Sequence, residues 1–248
     1  MTERSNLGRS TRRSFLTGLS GATVALLAPC APSASAQPAS AIKRGGTFVE
    51  SINWTYPSLD SHLSSQPFMA GYEAMYNTLV RFELADAKTG EQRVVGDLAE
   101  SWEQPDAKTL VFKLRQGVAF HDGTAFDAEV AAWNMLRVRD HPKSQWKTQL
   151  GVLESAEALN KNTLRLALKT PSPGFLRSLA FASGARVYML SKAAMNRLGE
   201  DGFARSPVGT GAFRFKQWIT DDRLILERNP SYFEAGAMAS PCPTWTVS

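Results

Sequence analysis

The side chains that could move a proton, attack a carbonyl or ligate a metal are scattered along this chain. His62, His121 and His141 lie far apart, and so do Cys30 and Cys242. There is no GxSxG nucleophile elbow, no HExxH zinc helix and no phosphate-cradling loop, and Gly209-Thr210-Gly211 stops short of a dinucleotide-binding GxGxxG. His121-Asp122 pairs the types needed for acid–base or metal chemistry. With Gly123 and Thr124 after it, the pair reads as a turn whose side chains hydrogen-bond the local backbone. The carboxylates form no pair in a catalytic frame. None of these residues reads as catalytic, and neither a metal nor a cofactor is expected.

Binding needs an exposed, well-positioned loop. Residues 47–52, Thr-Phe-Val-Glu-Ser-Ile, read as a first strand, and the loop after it carries Trp54, Thr55, Tyr56 and Pro57. Loops at strand ends are where α/β sheets hold ligands. The link at 181–186 is a second candidate. Trp102, Phe112, Phe120, Trp133, Phe213 and Phe215 sit in periodic patterns and are expected in the core.

Elements of both kinds position these groups. Met69, Tyr72, Tyr76 and Leu79 recur at helical spacing. Lys88-Thr89-Gly90-Glu91 is a turn. Leu110, Phe112 and Leu114 alternate with polar residues as in a half-buried strand. Asp127 is placed to cap a helix, with Glu129 in its first turn and Val130, Trp133 and Leu136 facing inward. Residues 152–158 and 163–169 form a hairpin with Leu164, Leu166 and Leu168 inward. Pro171-Ser172-Pro173 introduces a short helix, and a helix over 191–198 ends at Gly199. Residues 206–228 read as a glycine-relaxed turn, a strand containing Phe213 and Phe215, a reversal at Asp221-Asp222 and a return strand containing Leu224 and Leu226. Asn229-Pro230 ends the pairing.

The N-terminal 36 residues read as an export signal. Residues 11–17, Thr-Arg-Arg-Ser-Phe-Leu-Thr, match the twin-arginine pattern, residues 18–28 are apolar, and Ala34-Ser35-Ala36 is a small-x-small cleavage site. A lipoprotein cleavage at Cys30 ranks second, because Pro29 suits it poorly. Residues 37–44 read as a disordered leader. Arg4, Arg9, Arg12 and Arg13 against Glu3 supply +3 of the formal +5, leaving +2 on the rest. No basic run remains, which argues against nucleic acid as a partner. Loss of Cys30 would leave Cys242 alone, with no intramolecular disulfide.

Residues 206–233, Ser-Pro-Val-Gly-Thr-Gly-Ala-Phe-Arg-Phe through Asp-Asp-Arg and Glu-Arg-Asn-Pro-Ser-Tyr-Phe, resemble the signature of the family 5 extracellular solute-binding proteins, the peptide/nickel class of ABC-importer receptors. Residues 112–130 resemble the family's F-x-L-R-x-G-V-x-F-H-D-G-T-P-F-T-A-E-D-V, with Ala125 for proline, Asp127 for threonine and one acidic residue missing after Glu129. Residues 58–62 resemble S-L-D-P-H, with Ser61 for proline, and residues 94–102 resemble P-x-L-A-E-S-W.

The resemblance spans roughly residues 45–234. It implies an α/β, periplasmic-binding-protein type 2 architecture, of which this chain carries the N-terminal lobe as a mixed sheet with flanking helices. Residues 235–248 read as an irregular tail where a second lobe would follow, as in a truncated chain. Two lobes closing on a peptide or similar small solute, presented to an ABC permease in the inner membrane, is the implied mechanism. Thr55, Tyr56 and Pro57 are the implied ligand contacts. One lobe encloses only one wall of a ligand, so weak binding is expected. Alternatives are a twin-arginine-exported enzyme and an isolated lobe acting as an interaction module.

Overall fold

The computed structural model describes residues 46–52, 55–64, 70–86, 88–180, 187–234 and 244–247. The export signal, the leader, Trp54, Met69, the 181–186 link and Cys242 lie outside the described residues. In chain order the elements are β1 (Thr47–Glu50), α1 (Ala70–Met75), β2 (Val80–Asp86), β3 (Glu91–Gly96), β4 (Ala99–Asp106), β5 (Thr109–Leu114), α2 (Ala128–Asp140), β6 (Leu153–Asn160), β7 (Thr163–Leu168), α3 (Phe175–Ala180), α4 (Lys192–Arg205), β8 (Phe213–Ile219), β9 (Arg223–Arg228) and β10 (Thr244–Val247). None of the described helices is long and apolar enough to cross a membrane.

The described strands form three sheets. One is mixed, in the order β1-β10-β9-β8, with β1 parallel to β10 and the other pairs antiparallel. A two-stranded sheet pairs β2 with β3, and an antiparallel sheet runs β4-β5-β7-β6. The expected hairpins form at β6–β7 and β8–β9. Leu110, Phe112, Leu114, Leu164, Leu166 and Leu168 bury their side chains as the alternation requires. The turn between β8 and β9 places Asp221 at φ 59, a conformation Asp tolerates better than most side chains.

Four expectations change in the structure. The helix read from Tyr72, Tyr76 and Leu79 stops at Met75. The carbonyls a longer helix would use are taken by distant amides: Met75 O accepts from Gly211 N–H, Asn77 O from Met189 N–H, and Thr78 O from Leu98 N–H. Tertiary pairing therefore overrides the 3.6-residue period. In α2 the fully buried face is Ala128, Ala131, Met135 and Val138, while Val130, Trp133 and Leu136 are half-buried. Small alanines suit close packing against the β6–β7 sheet better than the larger side chains that the sequence points to. Gly199, at φ 70 and ψ 174, ends one helical segment, yet a second resumes directly within α4. In the tail expected to be irregular, Thr-Trp-Thr-Val at 244–247 forms β10. β-branched and aromatic residues favour strand, and β1 and β9 supply its two partners.

Asp127 caps α2 by accepting from Val130 N–H at 3.0 Å. Asp127→Ala is expected to lower unfolding free energy by about 1 kcal/mol, read as a lower urea midpoint with unchanged slope.

Among the described residues the buried side chains form two clusters. The larger lies between α2 and the β4-β5-β7-β6 sheet. The smaller gathers Tyr56, Tyr72, Tyr76 and Tyr188 with Leu59, Met75, Phe203, Leu224 and Leu226. The loop after β1 is built into this second cluster.

Candidate functional site

The residues after β1 form a loop whose inner side is fully engaged. Tyr56 is 5 % exposed, and its hydroxyl accepts from Gly71 N–H at 3.1 Å. Its ring meets Tyr72 edge-on at 5.5 Å between centroids. Burial pushes the Tyr56 pKa up to about 12, so the phenol stays neutral. Tyr72 OH donates to Ser58 O, and Tyr76 OH donates to Leu59 O at 2.7 Å. Leu59 N–H reaches Ala204 O at 3.0 Å, tying the loop to the end of α4.

The next three residues lock the loop to α2. Asp60 is fully buried, and Arg137 grips its carboxylate with both terminal nitrogens, at 3.2 and 2.7 Å. Arg137 also donates to His62 Nδ1 at 3.0 Å, and His62 Nε2 sits 2.7 Å from Tyr188 O. A guanidinium can only donate and a carbonyl can only accept, so His62 is neutral with its proton on Nε2. Burial lowers the His62 pKa to about 4; neighbouring Asp60 works the other way. Ser61 is buried with its hydroxyl unpartnered among the described residues, at the position where the resemblance has proline.

This bracing leaves the outer side of the loop exposed. Of the three residues expected to touch a ligand, Thr55 and Pro57 are exposed, whereas the Tyr56 ring belongs to the core. Pro57 and Ser58 border a hollow of about 440 Å³ shared with Leu63, Lys143, Arg205 and Trp218.

A second polar assembly joins the two motifs singled out in the sequence. His121 does not bond its local backbone as expected. Its Nδ1 accepts from Gly209 N–H at 3.3 Å and its Nε2 donates to Gly211 O at 3.0 Å. Burial lowers its pKa. Asp122 does behave locally, accepting from Thr124 N–H and Thr124 Oγ1. Asn229 Nδ2 also donates to Gly211 O, at 3.0 Å. Thr210 Oγ1 donates to Asn77 Oδ1, and Asn77 Nδ2 donates to the buried Asp97. Burial raises the Asp97 pKa, against the Thr78 N–H bond and the Arg81 charge.

His141 completes the set, with Nε2 2.8 Å from Glu200 Oε1 and Nδ1 accepting from Lys143 N–H. All three histidines thus have both ring nitrogens engaged within the chain. Among the described residues no three His, Cys, Asp or Glu side chains gather as metal ligands. The geometry braces the loop after β1.

The partners Arg137, Asn77 and Asp97 do not stand out in the sequence. Arg137 sits in an ordinary amphipathic helix, and nothing local marks it. Asp97 carries a faint signal, an acidic residue directly before the apolar pair Leu98-Ala99.

Comparison with known proteins agrees with this architecture. The glutathione-binding protein GsiB of Pectobacterium atrosepticum is 30% identical over 202 residues, covering 79% of this chain and 37% of that protein. The periplasmic binding protein DppA from Helicobacter pylori, solved with the peptide STSA, is 27% identical with a TM-score of 0.69, covering 82% of this chain and 42% of that one. NikZ from Campylobacter jejuni, solved with Ni(L-His), shares the fold at 22% identity and a TM-score of 0.68, covering 82% and 38%. The chain therefore spans less than half the length of these relatives, and over that part it has the α/β fold of type 2 periplasmic binding proteins. Residues 93–240 match the family described as bacterial extracellular solute-binding proteins, family 5 Middle. The chain belongs to the bacterial extracellular solute-binding proteins of family 5.

Proposed function

We propose that this chain captures a peptide or similar small solute in the periplasm for an ABC permease in the inner membrane, and that it does no chemistry on that solute. Family membership carries the reading, and the braced loop after β1 supports it. Thr55 and Pro57 offer side chains to the solute; Tyr56 offers its backbone, because its ring is occupied. Peptide binding suits such a loop, since exposed main chain can pair with an extended ligand while wet surroundings tolerate varied side chains. Export by the twin-arginine route, from Arg12 and Arg13, belongs to the same proposal, as does the absence of a nucleic-acid partner.

The described loop is one open face, so affinity is expected to be weaker than micromolar. The test is a titration of the isotope-labelled chain with glutathione and, separately, with the tetrapeptide Ser-Thr-Ser-Ala, followed by amide NMR. Shifts at the Thr55 and Tyr56 amides that saturate at millimolar ligand are the expected result. No saturable shift with either ligand would remove the capture reading. Shifts confined to other surfaces would remove these contact residues from it.

A further inference from the structure

His62 sits between two groups that fix its protonation. Arg137 donates to Nδ1 from one side at 3.0 Å, and Tyr188 O accepts from Nε2 on the other at 2.7 Å. A proton added at Nδ1 would set donor against donor and a cation against a guanidinium, on a ring that is almost wholly buried. The remaining groups facing the ring are Asp60 on its own loop, Arg137 and His141 from α2 and its C-cap, and Glu200 of α4, which reaches Arg137 and His141. The hydroxyls of Tyr72 and Tyr76 lie on the α1 side and are spent on Ser58 O and Leu59 O. Asp60 favours the added charge, but both its oxygens already bind Arg137.

We propose that His62 is an acid-sensitive latch on residues 55–64: protonating its Nδ1 breaks the Arg137 contact and releases the loop from α2. The same guanidinium holds Asp60 and His62, so loss of one contact loosens the other. The Leu59 bond to Ala204 O then loses its support, while the large cluster around the β6–β7 hairpin is untouched. That an open loop gives up a bound solute rests on the capture reading above; the latch itself does not.

The sign follows from the two states. In the open loop His62 titrates near its ordinary 6.5, and in the closed loop near 4. Closure is therefore favoured fully above 6.5 and is lost as pH falls through that window. Hydrogen exchange on the intact chain tests this at about pH 7.5 and about pH 4, with protection corrected for intrinsic rates. Protection at Leu59, His62 and Leu63 is expected to fall on the order of 100-fold, while Leu164 and Leu166 in the hairpin keep theirs. His62→Gln, which cannot titrate, is expected to abolish the fall.

If that variant does not fold, imidazole NMR of the unaltered chain decides instead. A neutral Nε2–H ring that persists below pH 5 supports the latch, and a ring titrating near 6.5 overturns it. Loop and hairpin losing protection together would mean global unfolding and would also overturn it, as would a pH-indifferent loop or an unchanged response in His62→Gln. Because no ligand is present, failure here leaves the solute titration standing.

Discussion

Gly209→Ala is expected to destabilise the chain by about 3 kcal/mol, read as a lowered urea midpoint. A Cβ at 209 would lie 3.0 Å from the Met75 carbonyl carbon, closer still to its oxygen, and would overlap the Tyr76 ring. The obstacle is backbone, which cannot step aside as the tip of a long side chain can. Gly211 is the same case: its Cβ would come within 2.5 Å of the Met75 carbonyl carbon, and its N–H donates to Met75 O at 2.9 Å. Neither glycine has positive φ, so crowding decides, and conformational freedom does not. Gly123 is the internal control. It has φ 81 with nothing within 4 Å of where an added methyl would sit, so Gly123→Ala meets only the left-handed penalty, about 1–2 kcal/mol. Urea unfolding of the three variants separates the readings. Equal losses at 209 and 123 would show that the Pro-Val-Gly-Thr-Gly turn is not wedged against α1.

That wedge explains why this stretch stands out in the sequence while its role does not. The β8–β9 hairpin can be read from Phe213, Phe215, Leu224 and Leu226, because strand alternation is a local property. The glycines before it serve a partner more than a hundred residues earlier, the carbonyls at the end of α1. The same limit applies to Tyr72, Tyr76 and Leu79, whose spacing is helical although the chain leaves the helix at Met75. It also explains α2, where size points to Trp133 and Leu136 as the inward face, whereas packing on the sheet selects Ala131 and Met135. In the candidate site, the loop after β1 is legible from its place at a strand end. Its bracing is not, because Asp60 and Arg137 meet only in three dimensions. Tyr56 reads as a ligand contact from its place in the loop and from the family resemblance, but the Gly71 amide and the Tyr72 ring give its side chain a structural task.

Arg137→Leu carries the other large expected effect and reads out that bracing directly. The Arg137 and Asp60 side chains are 7% and 0% exposed, so removing the cation leaves a carboxylate buried without a counter-charge. Such a break costs about 3–5 kcal/mol, far more than the worth of an exposed pair. Arg137→Lys is expected to recover little, since one ammonium cannot span both oxygens of Asp60 and also reach His62. Asp60→Asn in the Arg137→Leu background should recover much of the loss, because the orphaned charge is gone. The pH dependence supplies a readout that packing loss alone does not give. In the unaltered chain the lowered His62 pKa makes stability fall as pH drops from about 6.5 towards about 4. In Arg137→Leu the guanidinium that opposed a charge on His62 is gone, so that fall should be shallower. Urea midpoints measured from neutral pH to pH 4 therefore should differ in slope between the two chains. Parallel slopes, or a loss near 1 kcal/mol, would mean that Asp60 reaches water and that the loop after β1 is held by its tyrosines alone.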